Sequence, residues 1–200
     1  MYCSVLSATV SGMEMIPVQV EADVSDGMPQ FTMVGYVSAQ VKEAQDRVRT
    51  ALKNMGISLP PKRITINLSP ADVRKEGSRF DLPIAAGVLM TLGRIPPRSL
   101  RKTMVLGELG LDGHVQPLEN YGLIKPSEKA AKARELGCTT LLVPAGNAAE
   151  GGLVGGLHVV GIQNLQELLN YCCEGKMPSL PSIENQKKED GKEPDFSEEQ

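Results

Sequence analysis

The sequence predicts an α/β (α+β) fold, a mixed β-sheet with helices packed on it. Three observations predict it. Ser4–Val10, Ile16–Val24 and Ile64–Leu68 alternate apolar and polar residues, the period of a half-buried strand. Val41, Ala44, Val48, Ala51, Leu52 and Met55 recur at steps of three and four, which is one face of a helix. The run from Phe80 to Gly93, FDLPIAAGVLMTLG, is apolar on nearly every side and reads as a buried helix.

Taken in order, the first two alternating segments read as antiparallel strands that turn near Gly12 and Met13. Asp26-Gly27-Met28-Pro29 is a turn, and Phe31–Val34 a short third strand closed by Gly35. Ser38 is suited to cap the amphipathic helix, and Gly56 stands where its terminal glycine belongs. The strand from Ile64 ends at Ser69-Pro70, because proline has no N–H to give a ladder. A charged loop follows, with Asp72, Arg74, Lys75, Glu76, Gly77, Ser78 and Arg79. Asp81 is expected to cap the buried helix, with Pro83 in its first turn.

Beyond the proline-marked loop at 94–99, Met104–Glu108 reads as one strand. Leu111-Asp112-Gly113-His114 reads as a hairpin turn and Val115–Leu118 as the return strand. A helix from Glu128 to Leu136, capped by Ser127 and ended by Gly137, precedes a strand at Thr140–Val143 that Pro144 closes. Asn147–Glu150 suggests a helical turn, and Gly151–Gly156 (GGLVGG) a loop. A strand at Leu157–Ile162 and a helix at Leu165–Cys172 complete the domain, taken as residues 1–174. From residue 175 to 200 Pro, Ser, Asn, Lys and Glu dominate, a composition expected of a disordered linker.

Composition narrows the function classes. There is no tryptophan and 4% aromatic residues, so the core is aliphatic and a base-stacking platform is disfavoured. The net charge of −3 belongs to the last 25 residues, and residues 1–175 are neutral overall. Between Lys42 and Arg79 nine basic residues face four acidic ones, the pattern of either a basic surface or a solvated amphipathic helix. None of the four cysteines has the spacing of a zinc site, and there are two histidines, so no metal site is expected. Reduced thiols suit a cytoplasmic protein. No segment has the roughly 20 apolar residues of a membrane span, so no membrane partner is expected.

Recognisable catalytic motifs are scarce. The chain contains no G-x-x-x-x-G-K-[ST] loop for nucleotide phosphates and no G-x-S-x-G elbow. No cofactor is therefore expected in this chain. The charged loop at the entrance of the buried helix is the one place where a serine, several cations and free helix N–H groups converge. Ser78 is its catalytic candidate, because a serine beside a desolvated lysine can act as a nucleophile and otherwise simply caps. Arg74, Lys75 and Arg79, with Arg47 and Arg49 from the amphipathic helix, are its candidate anion- or DNA-binding residues.

VKEAQDRVRTAL (Val41–Leu52), KRITINLSPADVRKEGSRFDLPIAAGVL (Lys62–Leu89), LGELGLDGHVQPL (Leu106–Leu118) and LLVPAGNAAE (Leu141–Glu150) together closely resemble the N-terminal domain of the ComM/YifB family. These are bacterial AAA+ ATPases described as magnesium-chelatase-like. The resemblance runs from residue 1 to about 172. EPDFSEEQ (Glu193–Gln200) resembles the lead-in to that family's AAA+ domain, so an ATPase domain is expected to follow in the parent protein.

The resemblance implies a ribosomal-protein-S5-domain-2-like fold similar to the proteolytic domain of Lon. In Lon the nucleophilic serine follows a Lys-Asp-Gly-Pro run. The matching run here is Lys75-Glu76-Gly77-Ser78, with Arg79 in the serine's place and the lysine partner's place near Ser127. The resemblance thus implies that both members of the dyad are missing.

It also implies a homo-hexameric motor on DNA, tied to natural transformation and branch migration, with ATP and Mg²⁺ bound by the AAA+ domain. A non-catalytic accessory domain is the leading expectation. A Lon-like peptidase acting through Ser78 and a protein-interaction module of the ring are the alternatives.

Overall fold

A long antiparallel hairpin begins the chain. Strand β1 (Tyr2–Ser11) pairs with β2 (Glu14–Ser25), with Val5 opposite Val20. Both strands run past the alternating cores seen in the sequence. Their polar ends still pair because the ladder uses backbone groups that every residue but proline carries. The computed structural model describes residues 1–12, 14–118, 126–151 and 157–178. Met13, the centre of the expected turn, the GGLVGG loop beyond Gly151, and the expected linker from residue 179 lie outside the described residues.

Strand β3 (Gln30–Val34) joins β4 (Arg63–Ser69) in parallel, and β4 pairs antiparallel with β2. Between β3 and β4 the chain crosses over through two helices, α1 (Ala39–Lys42) and α2 (Ala44–Asn54). The sequence read them as one helix. The hydrogen bonds change register at Glu43, which ends the first helix and precedes the second. Ser38 caps α1 as expected, accepting from the Val41 amide at 3.2 Å. Gly56 follows α2 with φ +81°, where a side chain would be strained.

Helix α3 (Asp81–Thr91) is buried along its whole length. Gly87 lets it lie on the hairpin, because a Cβ there would stand 3.2 Å from the Ala22 Cβ. Asp81 is not its cap. Phe80 occupies that position without a side-chain bond, and Asp81 is the first helical residue. The expected loop after α3 contains a 3-10 turn at Pro97–Leu100.

The expected strand over Met104–Glu108 splits in two. β5 (Thr103–Val105) enters the main sheet beside β1, while β6 (Glu108–Leu109) forms a separate hairpin with β7 (Val115–Gln116). The break falls at Gly107. Its amide donates to the Arg79 carbonyl at 2.9 Å and its carbonyl accepts from the Leu82 amide at 3.0 Å. The chain is thus diverted onto the entrance of α3.

The rest adds parallel strands. α4 (Pro126–Glu135) leads to β8 (Thr140–Pro144), α5 (Ala145–Gly151) follows, then β9 (His158–Ile162) and α6 (Leu165–Glu174). α4 begins at Pro126, so Ser127 lies inside it instead of capping it. The sheet order is β3-β4-β2-β1-β5-β8-β9, with antiparallel pairing only at β4-β2 and β2-β1. This is the mixed α/β sheet that the sequence predicts.

Neighbouring residues of the central strands serve opposite faces. Val105, Leu142 and Val160 join the larger apolar cluster with α2, α3 and α6. Met104, Leu141 and Val143 join a smaller one with Ala133 of α4 and Ala148 of α5. Helices therefore cover both faces at β5 and β8. On β4 only Ile64, Ile66 and Leu68 are buried, and the opposite face is lined by polar side chains such as Asn67 and Glu21.

Candidate functional site

The charged loop after β4 is pinned before it reaches α3. The Lys75 amide donates to the Tyr36 carbonyl at 2.9 Å, and the Lys75 carbonyl accepts from the Ser38 amide at 3.0 Å. This bridge ties the loop to the entrance of α1. It also turns the Lys75 side chain inward, where it is fully buried and its ammonium donates to the Pro70 carbonyl. Burial pushes the Lys75 pKa below the ordinary lysine value, with Asp72 opposing.

The entrance of α3 is occupied by the chain's own carboxylate. Asp81 has no exposed side-chain surface. Arg47 grips it with both prongs of its guanidinium, Nε to Oδ2 at 2.7 Å and Nη2 to Oδ1 at 3.0 Å. The Leu109 amide adds a third bond to Oδ2 at 3.1 Å. Burial pushes the Asp81 carboxyl up, while Arg47 and the Leu109 amide pull it down. The carboxylate in turn holds the Arg47 guanidinium above its ordinary value. Arg47 spends its remaining donors on the Gln40 carbonyl at 3.0 Å and on Glu43 at 3.4 Å.

Ser78 stands beside this pair. Its hydroxyl donates to Glu108 Oε2 at 2.6 Å. A serine nucleophile of the Ser-Lys type needs an amine at that hydroxyl to take its proton. The lysine of the same loop is committed to Pro70, and the side chain of Ser127, near the expected lysine place, lies outside the described residues. Arg79 is half-buried, and burial alone pushes its pKa down. Among the described residues it has no carboxylate in ion-pair range.

The five cationic candidates therefore do not share one surface. Arg47, Lys75 and Arg79 turn inward. Arg74 is exposed, pairs with Glu76 at 3.2 Å and lies 6.0 Å from the centre of the Tyr36 ring. It borders a cleft of about 500 Å³ between the hairpin tip and the charged loop. Arg49 is exposed on α2 and lies 5.7 Å from the Phe31 ring centre. Lys62, from the same basic stretch, faces Asp26 at 3.6 Å. Three of the nine cations of this stretch turn inward, and the six exposed ones stand among the four exposed carboxylates Glu43, Asp46, Asp72 and Glu76.

Sequence reasoning missed the Arg47–Asp81 pair. Its partners stand 34 positions apart, and nothing local distinguishes Arg47 from the other charges of α2. The one available signal was an aspartate opening an otherwise apolar helix, which burial makes costly without a partner. Among the described residues no three His, Cys, Asp or Glu side chains are placed to hold a metal ion together. No helix there is long and apolar enough to cross a membrane.

Comparison with known proteins bears on the same residues. The family described as subunit ChlI of Mg-chelatase matches residues 20–147, which include α1 to α3 and the whole α3 entrance. The competence protein ComM of Haemophilus influenzae is 38% identical over 167 residues, covering 84% of this chain and 32% of its own. The YifB protein of Salmonella typhimurium is 41% identical over 143 residues, covering 72% of this chain and 27% of its own. An uncharacterised protein of Mycobacterium tuberculosis is 39% identical over 165 residues, 82% of this chain and 32% of its own. The chain thus spans about a third of the length of the curated relatives it matches. On these matches the chain belongs to the family of subunit ChlI of Mg-chelatase, with relatives named ComM and YifB.

Proposed function

We propose that this chain is a non-catalytic accessory domain of a ComM-type, AAA+ machine that acts on DNA in the cytoplasm. The observation that carries the non-catalytic part is the occupied α3 entrance. The position that serves a Lon-like nucleophile carries Arg79, Ser78 is bonded to a carboxylate, and Lys75 is bonded to a carbonyl. A hydroxyl that donates to Glu108 is held and oriented, and among the described residues no amine bonds to it as Ser-Lys chemistry requires. The competence and DNA part rests on the family and on the name of the ComM relative. ATP and Mg²⁺ belong to the expected AAA+ domain, and assembly as a homo-hexamer belongs to the parent protein.

Two measurements test this reading. Removing the region equivalent to residues 1–174 from a full-length relative is expected to leave ATP hydrolysis and to impair ATP-driven migration of branched DNA. Loss of ATP hydrolysis with correct folding, or unimpaired migration, would overturn the accessory role. This chain is expected not to cleave unfolded casein or fluorogenic peptides. Cleavage that disappears in Ser78→Ala would establish the peptidase reading instead.

A further inference from the structure

The run Arg94–Lys102, RIPPRSLRK, carries four cations and no carboxylate. No Asp or Glu occurs anywhere between Asp81 and Glu108. Arg94, Arg98, Arg101 and Lys102 are all exposed, whereas Ile95 and Leu100 are buried at 1% and 6% exposure. The apolar residues root the segment and the cations line its rim. Pro97–Leu100 is a 3-10 turn that carries Arg98, and Arg101 follows as its cap in extended backbone, its amide bonded to the Arg98 carbonyl at 3.3 Å.

The segment is fixed at both ends. The Cys173 thiol of α6 donates to the Arg94 carbonyl at 3.1 Å. The Lys102 carbonyl accepts from the Thr139 and Thr140 amides at 2.9 and 3.2 Å, with Lys102 itself at φ +54°. With the backbone already fixed, meeting a partner orders only the side chains of the rim and not the segment itself. Among the described residues none of the four cations forms an ion pair. The described charges on the adjoining helices are of both signs: Glu167 and Glu174 of α6 with Lys176 beyond its end, and Glu128, Lys132, Arg134 and Glu135 of α4, where Lys132 pairs with Glu135 at 3.5 Å.

We propose that Arg94, Arg98, Arg101 and Lys102 form a surface that binds the phosphodiester backbone of nucleic acid without regard to base sequence. Three guanidiniums suit phosphate oxygens, which they can meet with two parallel bonds. The rim has no aromatic side chain on which a base could stack. Its large apolar residues point inward, which leaves nothing to insert into a bilayer and no apolar anchor for an acidic peptide. The proposal rests on the DNA reading above and supplies the surface that the stretch Lys42–Arg79 does not.

The test is a fluorescence-anisotropy titration of the whole chain with a generic DNA duplex at several salt concentrations. Four phosphate contacts predict that affinity falls about 150-fold between about 50 and about 200 mM salt. In Arg98→Ala/Arg101→Ala/Lys102→Asn, where asparagine tolerates the backbone at 102, the fall is expected to shrink to about 3- to 4-fold. The control set Lys42→Ala/Arg49→Ala/Lys53→Ala is expected to keep the wild-type slope. If the triple variant does not fold, Arg98→Ala alone should lower the salt slope by about one.

A steep wild-type slope that the rim variants retain, or that the control set removes equally, overturns the surface while the DNA reading stands. Absence of binding at about 50 mM salt overturns the surface too, and leaves the DNA reading to the branch-migration assay. Displacement of the DNA by polyglutamate or anionic vesicles at equal charge overturns nucleic acid as the partner.

Discussion

Arg47 and Asp81 show what one charge pair does for this fold. Asp81 is fully shielded, while the Arg47 side chain keeps 19% of its exposure. The two truncations should therefore differ. Arg47→Ala leaves a buried carboxylate with the Leu109 amide but no counter-charge, and is expected to cost about 3–5 kcal/mol in urea denaturation. Asp81→Ala leaves a guanidinium that still reaches the Gln40 carbonyl, Glu43 and water, and should cost less. Arg47→Met/Asp81→Leu, which removes both charges, should recover most of the loss. The sign with pH is also fixed. In Arg47→Ala the buried carboxyl takes up a proton that the unfolded chain does not hold, so its deficit should shrink as pH falls from about 7 toward 5. A deficit that grows on acidification would contradict this account of Asp81. The individual residue is where the sequence was least legible: Ser38 and Gly56 could be assigned from local rules, but Asp81 was read as a helix cap because its partner is remote.

Secondary-structure elements were more legible where burial pattern and backbone agreed. The alternation of β4 and the apolar run of α3 each specify one element, and each forms where expected. Met104–Glu108 failed because apolar character continues through a glycine that redirects the chain. Gly107 is small for a reason visible only in three dimensions. A Cβ there would stand 2.9 and 3.0 Å from atoms of the buried Leu82 and 3.2 Å from Val115. Gly107→Ala is expected to cost about 1–3 kcal/mol by overpacking, and about 2–12 °C in melting temperature. Gly137 provides the contrast, with open space around its Cβ position and φ +81°. Its replacement by alanine should cost about 1–2 kcal/mol through backbone strain alone. The two variants separate by structure: only Gly107→Ala should displace β6 and disturb the Ser78–Glu108 contact, seen as changed amide shifts at Ser78 and Leu109. Equal local shifts around both sites would show that Gly107 has no special packing role.

At the scale of the whole molecule the two sides of the sheet are unequal. The larger apolar cluster joins β1, β2, β4, α2, α3 and α6, with α3 enclosed at its centre. The smaller one under α4 and α5 joins fewer residues and includes small side chains such as Ala8, Ala133 and Ala148. Burial of apolar area stabilises each side at roughly 25 cal/mol per Å², so the side built around α3 contributes more. Opening free energy varies across a structure with this local density of buried contacts. Native-state hydrogen exchange should therefore show the amides of α3, β2 and β4 protected up to global unfolding. Those of α4 and α5 should exchange through smaller openings that leave the α3 side intact. The rim at Arg94–Lys102 joins the two sides, since Leu100 is buried in the larger cluster and the Lys102 carbonyl holds Thr139 and the first residue of β8, Thr140. If nucleic acid binds that rim, DNA should raise protection of the Thr139 and Thr140 amides more than that of α3, which already exchanges only globally. Protection that rises evenly across both sides would mean that the two clusters unfold as one unit.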